Sequence, residues 1–332
     1  MSSIMTNASA MTALQTLSAT NKSLEATQNR ISTGYRVSEA KDNAAYWSIA
    51  TTMRSDNKAL SVVQDSLGLG ASKVDTAYTA MNKIMERVDE IKVKLVASVG
   101  ASEENKGKIQ SEIQALQLQL KSFADSASFS GTNWLSVNST VASGNPSAGT
   151  HANAEIVSSF TRDNAGNVVL SKININVQSI KLYDAAATTA ETRGIVEGLR
   201  LASTGVREDT AVQGVAGTLT PATDGYSVST LTVVGFTDTQ ITQMITVADQ
   251  TLAEIADAAT MLGAAKKQID LQKEFTTSLM DSIERGVGQL VDADMNKEST
   301  RLQALQVQQQ LGIQSLQIAN GNAQSILSLF RS

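Results

Sequence analysis

Leu302–Phe330 reads LQALQVQQQLGIQSLQIANGNAQSILSLF, and none of its side chains is charged. Its eight glutamines make it too polar for a membrane span. Leu302, Leu305, Gln309, Gly312, Leu316, Ala319, Ala323, Ile326 and Phe330 recur at alternating steps of three and four, the spacing of a coiled-coil seam with a weak middle. Leu311, Ile318 and Leu329 form a second apolar row off that seam. A helix that is apolar on more than one side and uncharged on every side needs partners all round it. The stretch predicts a helix enclosed by other copies of the chain.

The opposite end is its complement. Met1–Asn21 carries no side-chain charge, and Ala10, Leu14, Leu17, Asn21, Leu24, Gln28 and Ile31 repeat with heptad spacing. A chain that leaves through the first helix and returns through the last must pair them antiparallel. Matching the two seams predicts that Leu17 meets Leu316, Leu14 meets Ala319, Leu24 meets Gln309 and Ala10 meets Ala323.

Composition removes several classes of function. The 332 residues leave room for roughly two domains. With 27 basic against 32 acidic residues and no basic patch interleaved with aromatics, the chain is not built to bind nucleic acid. Cysteine is absent, so no disulfide, thiolate metal site or cysteine nucleophile is available, and no metal or cofactor is expected. The one histidine, His151, sits among loop-forming residues and reads as a solvated loop histidine. The N-terminus has neither a basic region nor an unbroken apolar run, so no cleaved signal and no membrane insertion are expected.

Both prolines, Pro146 and Pro221, fall in the middle of the chain. A first helix is predicted over about Ser3–Ser32, stopped at Gly34, with a linker to Asp42 in which Ser38 is the N-cap candidate. The heptad resumes at Tyr46 and runs through Ile49, Met53, Asp56, Leu60, Val63, Leu67, Gly70, Val74, Ala77, Met81, Ile84, Val88, Ile91 and Leu95. Gly68-Leu69-Gly70 inside it lacks the rest of a phosphate loop and reads as close helix packing or a slight kink. Ile109, Ile113, Leu116, Leu120, Phe123 and Ala127 make a second seam, predicted to pack antiparallel on the first. From Ser130 to about Thr237 the chain turns rich in Gly, Thr, Ser, Asn and Ala. There Ile173, Ile175 and Val177 predict a strand after a turn at Asp163–Asn167, Glu191–Ser203 a short helix, and Tyr226–Val234 another strand. Thr237 and Asp238 cap a long return helix, and Asp292-Ala293-Asp294 with Glu298 reads as a solvated acidic turn. The sequon Asn138-Ser139-Thr140 is a chance match.

With this layout in view, the chain resembles the bacterial flagellins. Arg30-Ile31-Ser32-Thr33-Gly34-Tyr35-Arg36-Val37 and Ala40-Lys41-Asp42-Asn43-Ala44-Ala45 look like that family's N-terminal signature. Phe129-Ser130-Gly131-Thr132-Asn133-Trp134-Leu135 resembles its F-N-G-x-x-L-L turn. Leu262-Gly263-Ala264, Asp292-Ala293-Asp294 and Ala319-Asn320 through Ile326-Leu327-Ser328-Leu329 resemble its C-terminal signature. Ala323 stands where the family often has proline, and Gly288-Gln289-Leu290-Val291 replaces its Ser-Arg-Ile before D-A-D. Trp47 and the glutamine run are in the style of alphaproteobacterial flagellins.

The fold expected is mainly α, a nested antiparallel helical hairpin with a small central α+β insert. A terminal coiled-coil assembly domain takes residues 1–36 and 300–332, a helical rod 43–135 and 238–299, and a variable surface domain 136–237. The resemblance implies an extracellular filament subunit, exported unfolded through the flagellar type III apparatus. Its implied partners are other copies of itself or related flagellins, an export chaperone, a cap protein and hook-junction proteins. A hook–filament junction protein and a type III secreted needle or tip protein are the alternatives, and no enzyme motif stands in residues 136–236. Many flagellins also show a basic R-V-R-E-L-like patch to an innate receptor. The corresponding Asp89, Glu90, Lys92 and Lys94 place an acid at the expected first arginine, which implies poor receptor activation.

Overall fold

The computed structural model describes residues 7–329 except 142–144, 148, 164 and 221, with side chains up to residue 321. Five long helices carry the chain: α1 (Ala8–Thr33), α2 (Ala44–Ser98), α3 (Glu103–Ser126), α4 (Asp238–Val291) and α5 (Met295–Leu329). Two compact units form, residues 1–59 with 278–332 and residues 60–277. No described helix is long and apolar enough to cross a membrane.

The larger unit is built on the long heptad. Every seam position of α2 from Leu60 to Leu95 is buried, whereas Tyr46 and Ile49 at its start are exposed. Ile255, Ala259, Leu262 and Ile269 of α4 and Ile113, Leu116 and Leu120 of α3 complete the core. Gln64 Nε2 donates to Thr277 Oγ1 at 3.1 Å, Lys92 pairs with Asp249, and Lys266 pairs with Asp75, so α2 and α4 run antiparallel in one constant register. Gly100, at φ 73°, turns the chain from α2 into α3. Thr237 and Gln240 make a capping box at the start of α4, each side chain serving the other's backbone N–H.

Residues 136–237 share this core. A two-residue hairpin joins β1 (Ser128–Phe129) to β2 (Thr132–Asn133), with positive φ at Ser130 and Gly131 as a type I′ turn requires. Asn133 then closes the end of α3, donating to the carbonyls of Ala124 and Asp125. β3 (Ser136–Val137) pairs parallel with β6 (Tyr183–Asp184). The predicted strand at Ile173 and Ile175 is β5 (Val168–Ile175), antiparallel to β4 (Ala154–Arg162), with Val177 already in a 3₁₀ turn. Gly70 is where β4 lands. A Cβ there would stand 2.6 Å from Ile156 Cγ2, so close packing is the reason for the glycine.

Two elements differ from expectation. Glu191–Ser203 is turn followed by β7 (Arg200–Leu201), because the Ile195 and Val196 N–H groups donate to the distant carbonyls of Lys181 and Leu182. Gly194 packs so tightly on the Leu182–Tyr183 backbone that a Cβ would lie 2.0 Å from it. At Tyr226–Val234 only β9 (Asp224–Tyr226) is strand; it sits between β7 and β8 (Val212–Gln213). Beyond it helix side chains satisfy the backbone. Gln110 Oε1 accepts from Val233 N at 2.8 Å, Gln117 Nε2 donates to the Val228 carbonyl at 3.0 Å, and Lys106 Nζ to that of Phe236 at 2.8 Å. Among the described residues, no α-helix forms within 136–237.

Two ion pairs, each with a buried cation, hold this region. Lys181 Nζ bonds Asp184 Oδ2 at 2.6 Å and the Gly149 carbonyl at 2.7 Å, fully enclosed. Arg200, 1% exposed, grips Glu254 of α4 with two bonds of 2.8 and 2.9 Å and also donates to the carbonyls of Ile195 and Gly205. Burial raises the Glu254 carboxyl, but the Arg200 bonds and the charges of Arg200 and Arg207 outweigh it and leave it below its ordinary 4.5. A depressed carboxyl stabilises the fold above its ordinary value, and that contribution drains away as the pH falls below it. Glu254→Ala, which leaves the buried guanidinium only its carbonyl partners, will cost about 2 kcal/mol, less than a fully enclosed pair because Glu254 is 36% exposed. Breaking the exposed Lys172–Glu155 pair will cost less than about 1 kcal/mol. Urea unfolding followed by Trp134 fluorescence in a Trp47→Phe background measures both, and the Glu254 deficit should shrink on acidification.

Candidate assembly interface

α1 and α5 pack antiparallel in the smaller unit. Asn7 caps α1 by accepting from Ala10 N, and its Nδ2 donates to the Ala319 carbonyl at 2.9 Å. Gln309 Nε2 donates to Asn21 Oδ1 at 2.8 Å, and Arg30 Nη1 meets Glu298 Oε1 at 3.3 Å. The register differs from expectation: Leu17 faces Gly312, not Leu316, four residues away and about one helical turn. Gly312 explains the shift, since its missing Cβ would lie 3.2 Å from Leu17 Cδ1. The leucine packs straight onto the α5 backbone.

The positions that α1 turns away from solvent are Ala10, Ala13, Leu17, Thr20, Ser23, Leu24, Thr27, Arg30 and Ile31. Leu14, Asn21 and Gln28 are exposed instead, although Asn21 keeps its bond to Gln309. The row Ala13–Thr20–Thr27 was the overlooked signal. Small and β-branched residues let the two backbones approach, and Thr27 is 1% exposed. On α5 the shielded positions up to residue 321 are Glu298, Leu302, Leu305, Gln309, Gly312, Leu316 and Ala319. The side chains of Ala323 and Ile326, and Phe330 altogether, lie outside the described residues.

The other side of each helix is left apolar. Met11 and Leu14 on α1 are 64% and 60% exposed, and Leu311 and Ile318 on α5 are 57% and 66% exposed. Val307 and Ile313 stand out beside them. A groove of about 710 Å³ runs between the helices, lined by Ser9, Thr12, Thr16, Gln308, Leu311 and Ser315 among others. Thr12, Thr16 and Thr20 bond back to the carbonyls four residues earlier, so this face spends its hydroxyls internally.

Where α1 ends, the chain is knotted by hydrogen bonds to the end of α4. Gly34, at φ 74°, caps α1 with its N–H on the Arg30 carbonyl. The Val291 carbonyl accepts from both Arg36 N and Val37 N, at 2.6 and 3.2 Å, and Ala293 N donates to the Gly34 carbonyl at 2.8 Å. Tyr35 bridges Asp292, and Arg36 Nη2 reaches the Leu290 carbonyl. Val37, Ala50, Val287 and Val291 bury one another beneath this crossing. Asn43, not Ser38, caps α2 by accepting from Tyr46 N; the N–H groups of Ser38 and Glu39 are taken by Asp42 Oδ2. Those bonds, first that from Glu39, hold the Asp42 carboxyl below the usual range.

The acidic turn is only partly solvated. Asp292 and Asp294 are exposed, and Asp294 caps α5 by accepting from Asn296 N and Lys297 N. Glu298 is 8% exposed, held by Arg30, with its second oxygen buried and unpartnered. Among the described residues no cluster of His, Asp or Glu could hold a metal ion. His151 is half-buried, its Nδ1 2.7 Å from the Ala152 carbonyl. On α2, Glu90 is tied to Arg87 at 2.7 Å, Lys92 to Asp249 of α4 and Lys94 to Glu112 of α3 at 2.6 Å, with Asp89 nearby in the chain.

Residues 4–140 match the family model of the bacterial flagellin N-terminal helical region, and residues 245–330 that of the C-terminal helical region. A flagellin of Brucella melitensis biotype 1 is 50% identical over 331 residues, with all of both chains covered. Flagellin C of Rhizobium meliloti strain 1021 is 48% identical and flagellin A of Rhizobium meliloti 43% identical, again with both chains covered in full.

The register can be tested without interference from native cysteine. A Cβ at position 312 would lie 3.9 Å from that of Leu17, inside the disulfide range. Paired Leu17→Cys and Gly312→Cys will therefore oxidise to an intramolecular bridge faster than Leu17→Cys with Leu316→Cys. The reverse order, read on non-reducing gels, contradicts the observed register.

Proposed function

The chain belongs to the bacterial flagellin family and is a structural subunit of the extracellular flagellar filament; we propose that copies join through the outward faces of α1 and α5. The observation that carries this is the combination of no charge and exposed apolar residues on those faces. Leu302–Phe330 has no charged side chain, yet Leu311 and Ile318 stand in solvent in the single subunit, as do Met11 and Leu14. Covering one such side chain stabilises by about 1.5–3 kcal/mol, so four per subunit contribute about 6–12 kcal/mol toward offsetting the ordering of the two helices. Contacts of this kind join different patches on successive copies, so they extend into a helix instead of closing a ring.

In this reading residues 1–36 and 300–332 make the inner contacts, including the seam positions Ala323, Ile326 and Phe330. Residues 43–135 and 238–299 form the rod, and 136–237 face outward. The subunit reaches the outside unfolded through the flagellar export apparatus, escorted by a chaperone and with no cleaved signal, and is placed under a cap protein beyond the hook junction. The helices of such a subunit have weak isolated cores, Gln309 and Gly312 among them, and order fully only beside neighbours. We assign it no enzymatic role. The stretch Asp89, Glu90, Lys92 and Lys94 serves as a face that an innate receptor reads poorly: its lysines are spent on α3 and α4, and Glu90 stands where a receptor groove expects a cation.

Purified protein should polymerise into filaments visible by electron microscopy. Leu14→Glu and Leu311→Glu should each abolish polymerisation while leaving helix content and Trp134 fluorescence as in the parent. Filaments formed as readily by both variants would sink the proposed faces. In a receptor reporter assay the monomer should give little signal; strong activation contradicts the assignment of Glu90.

A further inference from the structure

Asn320 and Gly321 stand side by side near the end of α5, both exposed and both within the uncharged stretch Leu302–Phe330. An asparagine followed by glycine carries its own reaction. The Gly321 amide nitrogen attacks the Asn320 side-chain carbonyl, an N–C bond forms, the bond to the side-chain nitrogen breaks, and that nitrogen leaves as ammonia with the amide proton. Water then opens the five-membered imide at either carbonyl, leaving aspartate or isoaspartate at position 320. Glycine favours the attack because no Cβ shields its nitrogen.

The structure shows what holds this reaction back. Residues 320 and 321 are α-helical. A helical ψ near about −42° keeps the following nitrogen away from the side-chain carbonyl, and a helix engages that N–H with the carbonyl four residues back. The restraint is local and weak. Glycine is the poorest helix former except proline, and nothing lies within 4 Å of where a Gly321 Cβ would stand. One residue earlier, Asn7 ties the Ala319 carbonyl to α1. In the filament reading above the ends of α1 and α5 order fully only beside neighbours, so the helix at 320–321 is only partly populated in the free subunit and the filament completes its protection.

We infer that Asn320–Gly321 is a deamidation site, open in the free subunit and closed in the filament, and that the carboxylate it produces bars an aged subunit from assembly. The inference rests on the filament reading above. A single negative charge on α5 would have to be buried among uncharged neighbours, where an unpaired charge is costly. The uncharged tail is then a chemical record of how long a subunit has waited.

Free subunit and preformed filaments are incubated side by side in mildly alkaline buffer, and the peptide containing residue 320 is followed by mass spectrometry for imide, aspartate and isoaspartate. Conversion in the free subunit should be at least about tenfold faster than in filaments, since exchange at a locally open site tracks the open population. Asn320→Gln and Gly321→Ala should both suppress it. In mixtures with unmodified protein, Asn320→Asp should enter filaments at less than about a tenth of the parent's share, with unchanged helix content, as expected for a buried unpaired charge. No conversion in the free subunit, equal rates in both states, or normal incorporation of Asn320→Asp each overturns the inference. Failure of the unmodified subunit to polymerise at all is a separate result, against the filament reading. In that case conversion in the free subunit still tests the site.

Discussion

The Val291 carbonyl accepts two backbone hydrogen bonds, from Arg36 and from Val37, and this crossing decides where both terminal helices can run. Gly34 turns α1 out of its helix with a positive φ that a side chain would resist, and Ala293 answers by donating to the Gly34 carbonyl. The Arg30–Val37 signature is thus a fitting. Arg30 reaches Glu298, Gly34 makes the turn, Arg36 holds Leu290, and Val37 plugs the small core under Val287 and Val291. From there α1 and α5 can only lie antiparallel. The buried Glu298 penalises any slip, because a carboxylate moved off Arg30 would be left uncompensated.

Two kinds of packing coexist in the chain. In the larger unit the α2 seam is enclosed by α3, α4 and the strand-bearing segment, so its apolar surface is satisfied within one subunit. Its enclosed cations are paired, Arg200 with Glu254 and Lys181 with Asp184, and these are the costliest to orphan, while Arg87 Nε and Gln243 Oε1 are buried without a partner. In the smaller unit the seam between α1 and α5 holds Gln309 and Gly312 as well as leucines, and apolar side chains remain on the outside. Association with further copies would stabilise that unit by mass action, which suits a polymer subunit. The division of labour follows from where charge was placed and where it was withheld.

Much of this was legible from pattern. Fifty residues of unbroken heptad leave little choice of structure, and every seam position from Leu60 to Leu95 is buried. The α5 seam from Leu302 to Ala319 also faces its partner, and the flagellin family follows from both ends of the chain. Reading failed where the partner lay far off in sequence. The Tyr226–Val234 backbone is served by Gln110 and Gln117, seven residues apart on one face of α3, where two glutamines at heptad spacing beside the apolar seam were the available sign. Glu191–Ser203 gives up a helix because its amides and glycines are drawn onto Lys181–Tyr183.

What the sequence by itself determined, then, is period and charge: which stretches are helical, which faces are apolar, and that two uncharged ends seek company. These properties are local, and a repeat of three and four residues expresses them with no knowledge of the partner. The tertiary structure alone decided register, turning and pairing. Leu17 chose Gly312 over Leu316 because a missing Cβ lets a leucine touch backbone, an advantage that counting apolar matches cannot rank. Glu298 left the solvated turn for Arg30 because the Gly34–Val291 crossing brought them within 3.3 Å. Slips of one helical turn look alike along one chain and differ only when two backbones meet.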